Sequence, residues 1–184
     1  MEFGSQLKGS GGFLSPQRII ERLNVLKEGM MVADFGCGHG YFTLPIAEAV
    51  KEAGKVFAVD VLPEALEVVK LKLKIEGKEN VELKRRNLEK EKGSELQESS
   101  CDIVFIANLF FQTEKDEVVV REAKRILKEN GIVVFIDWRP DVSLGPPGKR
   151  IKKEEALKIF KKEGFKFEKE FSVDSYHYGL LFKK

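Results

Sequence analysis

The chain has 184 residues, of which 42% are hydrophobic and 34% charged, and 32 Lys and Arg against 30 Asp and Glu leave a net charge of +2. That composition excludes a disordered chain. A chain of this length buries roughly 70% of its unfolded surface, so it needs no disulfide or metal to fold. The near-neutral balance argues against a dedicated binder of the nucleic-acid backbone, although residues 148–184 carry 11 basic and 6 acidic side chains.

Residues 1–12, MEFGSQLKGSGG, are Gly- and Ser-rich, lack a period and read as a flexible lead-in. No basic and apolar leader of a secretory signal is seen there. Ser15-Pro16 is an N-cap followed by proline at the first helical position. Ile19, Ile20, Leu23 and Leu26 continue that helix, and Gly29 is expected to end it. Met30 to Phe35 is a buried strand entering the turn Gly36-Cys37-Gly38-His39-Gly40, and a helix runs on to about Ala53. Lys55 to Val59 is a strand ending at Asp60, and Pro63 opens a helix with Leu66, Val69 and Leu73 on one face. Val81 to Arg85 is a weaker strand, and residues 88–100 hold no element. Ile103 to Ala107 is a continuous apolar strand. Thr113-x-x-Asp116 resembles a capping box and starts a helix carrying Val119, Ala123, Ile126 and Leu127, which Asn130-Gly131 should stop. Ile132 to Ile136 is another buried strand, 139–148 is a Pro/Gly-rich loop, and Lys152 to Lys162 is a helix with Ala156, Leu157 and Phe160 inward. Phe165 to Val173 and Tyr176 to Phe182 form a last strand pair, expected to be antiparallel.

Apolar strands alternating with amphipathic helices predict an α/β fold, a doubly wound, mostly parallel, seven-stranded sheet of Rossmann-like type with an antiparallel C-terminal strand. Residues 13–184 read as a single domain. Its ligand is expected at the carboxyl ends of the strands, near the switch point. No apolar run approaches the length of a membrane span. Two cysteines and two histidines predict no metal site, and a reducing cytoplasm is the simplest compartment.

The motif that carries chemistry is Val32-Ala33-Asp34-Phe35-Gly36-Cys37-Gly38-His39-Gly40-Tyr41-Phe42-Thr43. Glycines at 36, 38 and 40 let the backbone turn sharply and approach a ligand. The free N–H groups of the following helix can face an anion. Asp60, at the end of the second strand, can accept hydrogen bonds from both hydroxyls of a ribose. The dinucleotide fingerprint G-x-G-x-x-G fails, because Tyr41 stands where its third glycine belongs. What is present is Asp-x-Gly-x-Gly-x-Gly, whose acid can engage a cation or orient the loop. A ligand with an ammonium, a carboxylate and a nucleoside fits better than a pyrophosphate, and S-adenosylmethionine (SAM) has all three.

These residues resemble the class I SAM-dependent methyltransferases, in particular the small stand-alone type related to the quinone-biosynthesis C-methyltransferases. The resemblance runs from about Phe13 to Lys184. It rests on VADFGCGHGYFT, then KVFAVDVLPEAL, then DIVFIANLFFQ followed by EAKRILKENG and IVVFIDW. It implies that Asp34 and the loop of Gly36, Cys37, Gly38 and Gly40 border the methionine part of SAM. Asp60 would hold the ribose, Val61 would pack on adenine, and Asn108 would lie near the methionine end. Asn87-Leu88 stands where many relatives carry an acid for the adenine amino group, a bond the Asn87 carbonyl can also accept. The segment GPP and then Tyr176-His177-Tyr178-Gly179 resembles a subgroup whose substrates the sequence does not assign.

Methyl transfer from a sulfonium leaves the hard chemistry to the cofactor, so no catalytic constellation is required and none is evident. His177, Asp137 and His39 are the candidates for a base. His39 reads mainly as a solvent-facing loop residue and His177 mainly as packing between two tyrosines. Asp137 and Trp138 end the fifth strand at the rim, either lining a pocket or serving structure. Cys37 reads as a small residue in a tight turn rather than a nucleophile. Phe110 and Phe111 either line an acceptor pocket or cover the sheet. Phe13, Phe110, Phe111, Trp138 and His177 are thus the candidate pocket residues. The absence of Pro-Pro after Asn108, of a Pro-Cys nucleophile and of a cysteine triplet makes a small, partly apolar molecule the default acceptor. Oligomeric state is not legible. Three other readings compete: a SAM-binding module or regulatory subunit without catalysis, a nicotinamide dehydrogenase, and an RNA methyltransferase using the basic tail. For the tail, a solvated face is favoured.

Overall fold

The computed structural model describes residues 14–184. The 1–12 lead-in and Phe13 lie outside the described residues. The elements in chain order are α1 (Pro16–Leu23), β1 (Met31–Phe35), α2 (Thr43–Val50), β2 (Lys55–Asp60), α3 (Pro63–Glu76), β3 (Val81–Arg85), β4 (Cys101–Ala107), α4 (Asp116–Ile126), β5 (Leu127–Trp138), α5 (Lys153–Lys162), β6 (Lys166–Phe171) and β7 (His177–Lys183). The strands form one sheet in the order β3-β2-β1-β4-β5-β7-β6. β1, β2, β3, β4 and β5 pair in parallel, while β7 runs antiparallel to both β5 and β6. This is the doubly wound, Rossmann-like sheet expected from the alternation of elements, with β7 as its antiparallel strand. Chain order reverses between β1 and β4, which makes the gap beyond their carboxyl ends the switch point.

The period-2 alternation of the strands sorts their side chains onto two faces. Ala33, Phe35, Val104, Ile106, Val133 and Phe135 face α4 and α5 and share a core with Val119, Ala123, Phe160 and Phe182. Val32, Val56, Ile103, Phe105, Val134 and Ile136 face the other way, where Ile19, Ile20, Ile46 and Val50 of α1 and α2 cover them. Leu66, Val69 and Leu73, one stripe of α3, close over Ala58 and Leu44. The edge strand β6 reads KFEKEF, and its alternating charges stay in water, blunting an edge that would otherwise pair with another chain.

Three expectations need correction. α1 ends at Leu23, not at Gly29: Asn24 takes the left-handed conformation (φ 50°) and its N–H caps the Ile20 carbonyl. α4 ends at Ile126, not at Asn130-Gly131. Leu127 is already extended and pairs with Cys101, and the N–H groups of Ser99 and Ser100 take the Arg125 and Ile126 carbonyls. The capping box is also not formed, because the Thr113 hydroxyl donates to the Asp116 carboxylate (2.5 Å) instead of capping backbone. Glu89 Oε1 takes over at that end, accepting from the N–H groups of Glu114 (2.7 Å) and Lys115 (2.9 Å). Among the described residues no helix is long and apolar enough to cross a membrane.

Candidate functional site

The glycine turn folds because β1 and β2 end together. The N–H groups of Gly36 and Cys37 both donate to the Val59 carbonyl (2.8 and 3.1 Å), bending the chain over the end of β2. Gly36 (φ 72°), Gly38 (φ 50°) and Gly40 (φ 81°) all sit where side chains are strained. Gly38 faces open space, whereas a Cβ at Gly40 would stand 2.7 Å from Leu44 and 3.1 Å from Val69. Gly40 therefore serves the close packing of α2 on α3. Asp60 locks the turn: Oδ2 accepts from the Gly38 N–H (2.8 Å) and Oδ1 from the Leu62 N–H (3.0 Å). Each carboxylate oxygen keeps a further lone pair for a ligand.

These residues open onto a cavity of about 660 Å3 beyond the carboxyl ends of β1, β2 and β4. It is lined by Asp34, Gly36, Cys37, Gly38, His39, Asp60, Val61, Asn87, Leu88, Asn108 and Phe111. Thus every residue expected from the sequence to hold the cofactor borders it, with the exception of Gly40. A wider depression of about 1,040 Å3 lies at the opposite, amino ends of the strands. Both of its lysines are already paired, Lys51 with Glu28 and Lys78 with Glu48. The 660 Å3 cavity has an apolar rim. Tyr41, Val61 and Leu62 are large hydrophobic side chains each more than half exposed there.

Asp34 is buried beneath the loop, where its carboxylate accepts from the Thr43 hydroxyl (2.6 Å). Desolvation pushes its pKa up to about 7, against the Thr43 hydrogen bond and with help from the nearby Asp60 charge. Cys37 is buried and its thiol is pushed upward by desolvation, which fits a space-filling residue and not a nucleophile. His39 is exposed at the cavity mouth, as the sequence led one to expect. The Asn87 carbonyl has turned to accept from the Glu89 N–H (2.9 Å), leaving one lone pair for any other donor.

A profile described as a methyltransferase domain matches residues 26–173. The chain belongs to that methyltransferase family. A demethylmenaquinone methyltransferase of Lactococcus lactis subsp. lactis is 37% identical over 112 residues, which is 59% of this chain and 42% of that protein. The chain therefore spans less than half the length of that curated relative. Among solved structures, a SAM-dependent methyltransferase from Aquifex aeolicus is 28% identical with a TM-score of 0.82, covering 92% of this chain and 89% of its own. A type 11 methyltransferase from Sulfolobus solfataricus, itself described as putative, is 28% identical with a TM-score of 0.75 and 94% coverage on both sides.

The other candidate residues of the chain fall into two groups. Phe110 lies in the core, not in the cavity: its ring centroid is 4.9 Å from that of Phe135 and 6.4 Å from that of Phe160. Asp137 is on the same core side, accepting from the N–H groups of Phe110 (3.2 Å) and Trp138 (2.7 Å), and burial pushes its pKa up to about 7. Neither borders the cavity. Trp138 and His177 pack together with ring centroids 4.0 Å apart. His177 Nε2 lies 3.3 Å from Asn108 Nδ2, so this pair touches the cavity through Asn108.

Sequence reasoning missed the partner of His177. Asp174, three residues earlier, places both carboxylate oxygens 2.9 Å from His177 Nδ1 and accepts the His177 N–H as well (2.8 Å). That carboxylate keeps the proton on Nδ1 and leaves Nε2 as the acceptor for the Asn108 amide. Burial lowers the His177 pKa, Asp174 opposes this, and Arg150 adds a lowering push. The signal was present as the turn Asp174-Ser175 between the last two strands.

Proposed function

We propose that the chain binds SAM in the 660 Å3 cavity and transfers its methyl group to a small-molecule acceptor. The observation that carries this reading is the convergence of Asp34, the Gly36–Gly38 turn, Asp60 and Asn108 on one cavity at the switch point. The donor set suits the cofactor. Asp60 offers two carboxylate oxygens to the ribose hydroxyls, and Val61, Leu62 and Leu88 offer apolar surface to a flat base. Gly38 lets the main chain approach a ligand closely, and Asp34 places a buried acid behind the turn. SAM brings an electrophilic methyl on a sulfonium, so the protein has only to hold, orient and shield.

The compartment is read as the cytoplasm, supported by two free, buried cysteines. A small acceptor is supported by demethylmenaquinone as the substrate named for the L. lactis relative. Isothermal titration with SAM and with S-adenosylhomocysteine tests the reading. Saturable binding of both is expected, and no heat at millimolar SAM overturns it. Binding without turnover across acceptors would instead favour a SAM-binding subunit.

A further inference from the structure

Four buried side-chain nitrogen or oxygen atoms lack a hydrogen-bond partner among the described residues: Arg86 Nε, Asn108 Oδ1, Trp138 Nε1 and Arg150 Nη1. The last three fall in one cluster. Asn108 meets His177, the His177 ring lies against Trp138, and Arg150 Cζ stacks 4.9 Å from the Trp138 ring centroid. Unpaired buried polar groups are costly, so three in one cluster mark a place where a ligand can supply the partners.

The charge of Arg150 points the same way. Its hydrogen bonds go to the main-chain carbonyls of Leu144 (3.2 Å) and Pro146 (2.9 Å), and it forms no ion pair among the described residues. Its neighbour Lys149 is paired with Asp116, and Arg139 with Asp141. The nearby acids are already committed, Asp137 to two backbone N–H groups and Asp174 to His177. A half-buried guanidinium with no carboxylate partner is free to take an anionic one.

We propose that these atoms form the acceptor subsite and that the acceptor is a small carboxylic acid bearing a hydroxyl or amino group. The carboxylate would take the Arg150 Nη1–H and Trp138 Nε1–H donors. The hydroxyl or amine would donate to Asn108 Oδ1, which borders the cofactor cavity. His177, held by Asp174, keeps the Asn108 amide turned so that Oδ1 stays free. The subsite rests on the reading of the adjoining cavity as the cofactor site.

Trp138 is the single tryptophan of the chain, so tryptophan fluorescence reports on this site alone. The probes are glycolate, lactate and mandelate, each against its own amide, with the protein saturated in S-adenosylhomocysteine. At least one carboxylate should quench saturably and bind about tenfold more tightly than its amide. Arg150→Gln should abolish that preference and Arg150→Lys should retain part of it, with cooperative melting confirming that both variants fold. Equal response to acid and amide, or no saturable response to any carboxylate up to about 50 mM, overturns the subsite. If SAM binds in the calorimeter and the carboxylates fail, the subsite falls alone. If SAM fails and a carboxylate saturates, the cofactor reading falls and the anion site stands.

Discussion

Asp60 closes the glycine turn and faces the cavity at once, so its removal should be felt twice. Asp60→Ala loses the acceptors for the Gly38 and Leu62 N–H groups and those proposed for the ribose. SAM affinity should fall by about 1.5–3 kcal/mol, the range for hydrogen bonds to a charged group, and calorimetry reads this directly. Asp60→Asn keeps one acceptor oxygen and should lose less. Phe110 supplies the opposite case. Its ring is fully buried among Phe135 and Phe160, so Phe110→Ala should cost about 3–5 kcal/mol of unfolding free energy in urea. The affinity of the folded variant for SAM should stay unchanged, whereas a pocket residue would alter it. Asp34, Asp60 and the glycines were legible in the sequence because a tight turn before a helix admits few residue types. Phe110 and Phe111 were not separable, since strand alternation ends at Asn108. That residue takes a left-handed conformation (φ 53°), and only the turn that follows decides which ring faces the core.

At the scale of elements, the period of apolar residues located every helix and strand, while ends depended on contacts from afar. α4 stops at Ile126 because Ser99 and Ser100 take its last carbonyls and Cys101 pairs with Leu127. The polar segment 88–100 offered no period, yet α4 pins it. Glu122 is buried, and its Oε1 accepts from the Ser94 N–H (3.0 Å) and from Arg125 Nη2–H (2.8 Å) as well as the Ser94 hydroxyl. Arg125 in turn donates to the Leu96 carbonyl (2.7 Å). Nothing in the sequence marks Glu122, because it flanks the apolar stripe of Val119, Ala123 and Ile126 like any solvated acid. Glu122→Ala would leave the Ser94 N–H without its acceptor and the Arg125 guanidinium without its carboxylate partner. It should cost about 3–5 kcal/mol in urea unfolding, as for a broken buried ion pair. Glu122→Gln keeps one acceptor and should cost less. A loss under about 1 kcal/mol would mean that segment 88–100 is held by its apolar contacts, Leu88 and Leu96, instead.

For the whole molecule, charge placement decides two properties. The excess of lysine after residue 147 is spread over solvent-facing positions: Lys152, Lys158, Lys161 and Lys162 are exposed, and Lys153 and Lys162 pair with Glu170 and Glu117. That favours a solvated face over an arm for nucleic acid. The second property is stability against pH. Asp34 and Asp137 are both pushed up to about 7 by burial. In the unfolded chain each titrates near 3.9, so between those values the native state holds protons that the unfolded state has released. Stability therefore falls as pH rises through this window, by on the order of 4 kcal/mol for each group, and levels off above it. His177 acts in the opposite sense below about 6.5. Its lowered pKa means that stability is gained as pH rises toward the unfolded value, and it adds no slope beyond that. Glu122, burdened by burial but held low by Arg125 and Ser94, contributes stability that is lost in acid. Urea unfolding should accordingly show a maximum near about pH 4 and a fall of several kcal/mol by about pH 8. Asp137→Asn should remove roughly half of that fall by deleting one of the two groups. An identical decline in wild type and variant would mean that Asp137 is ionised in the native protein, with its charge carried by the Trp138 and Phe110 N–H groups.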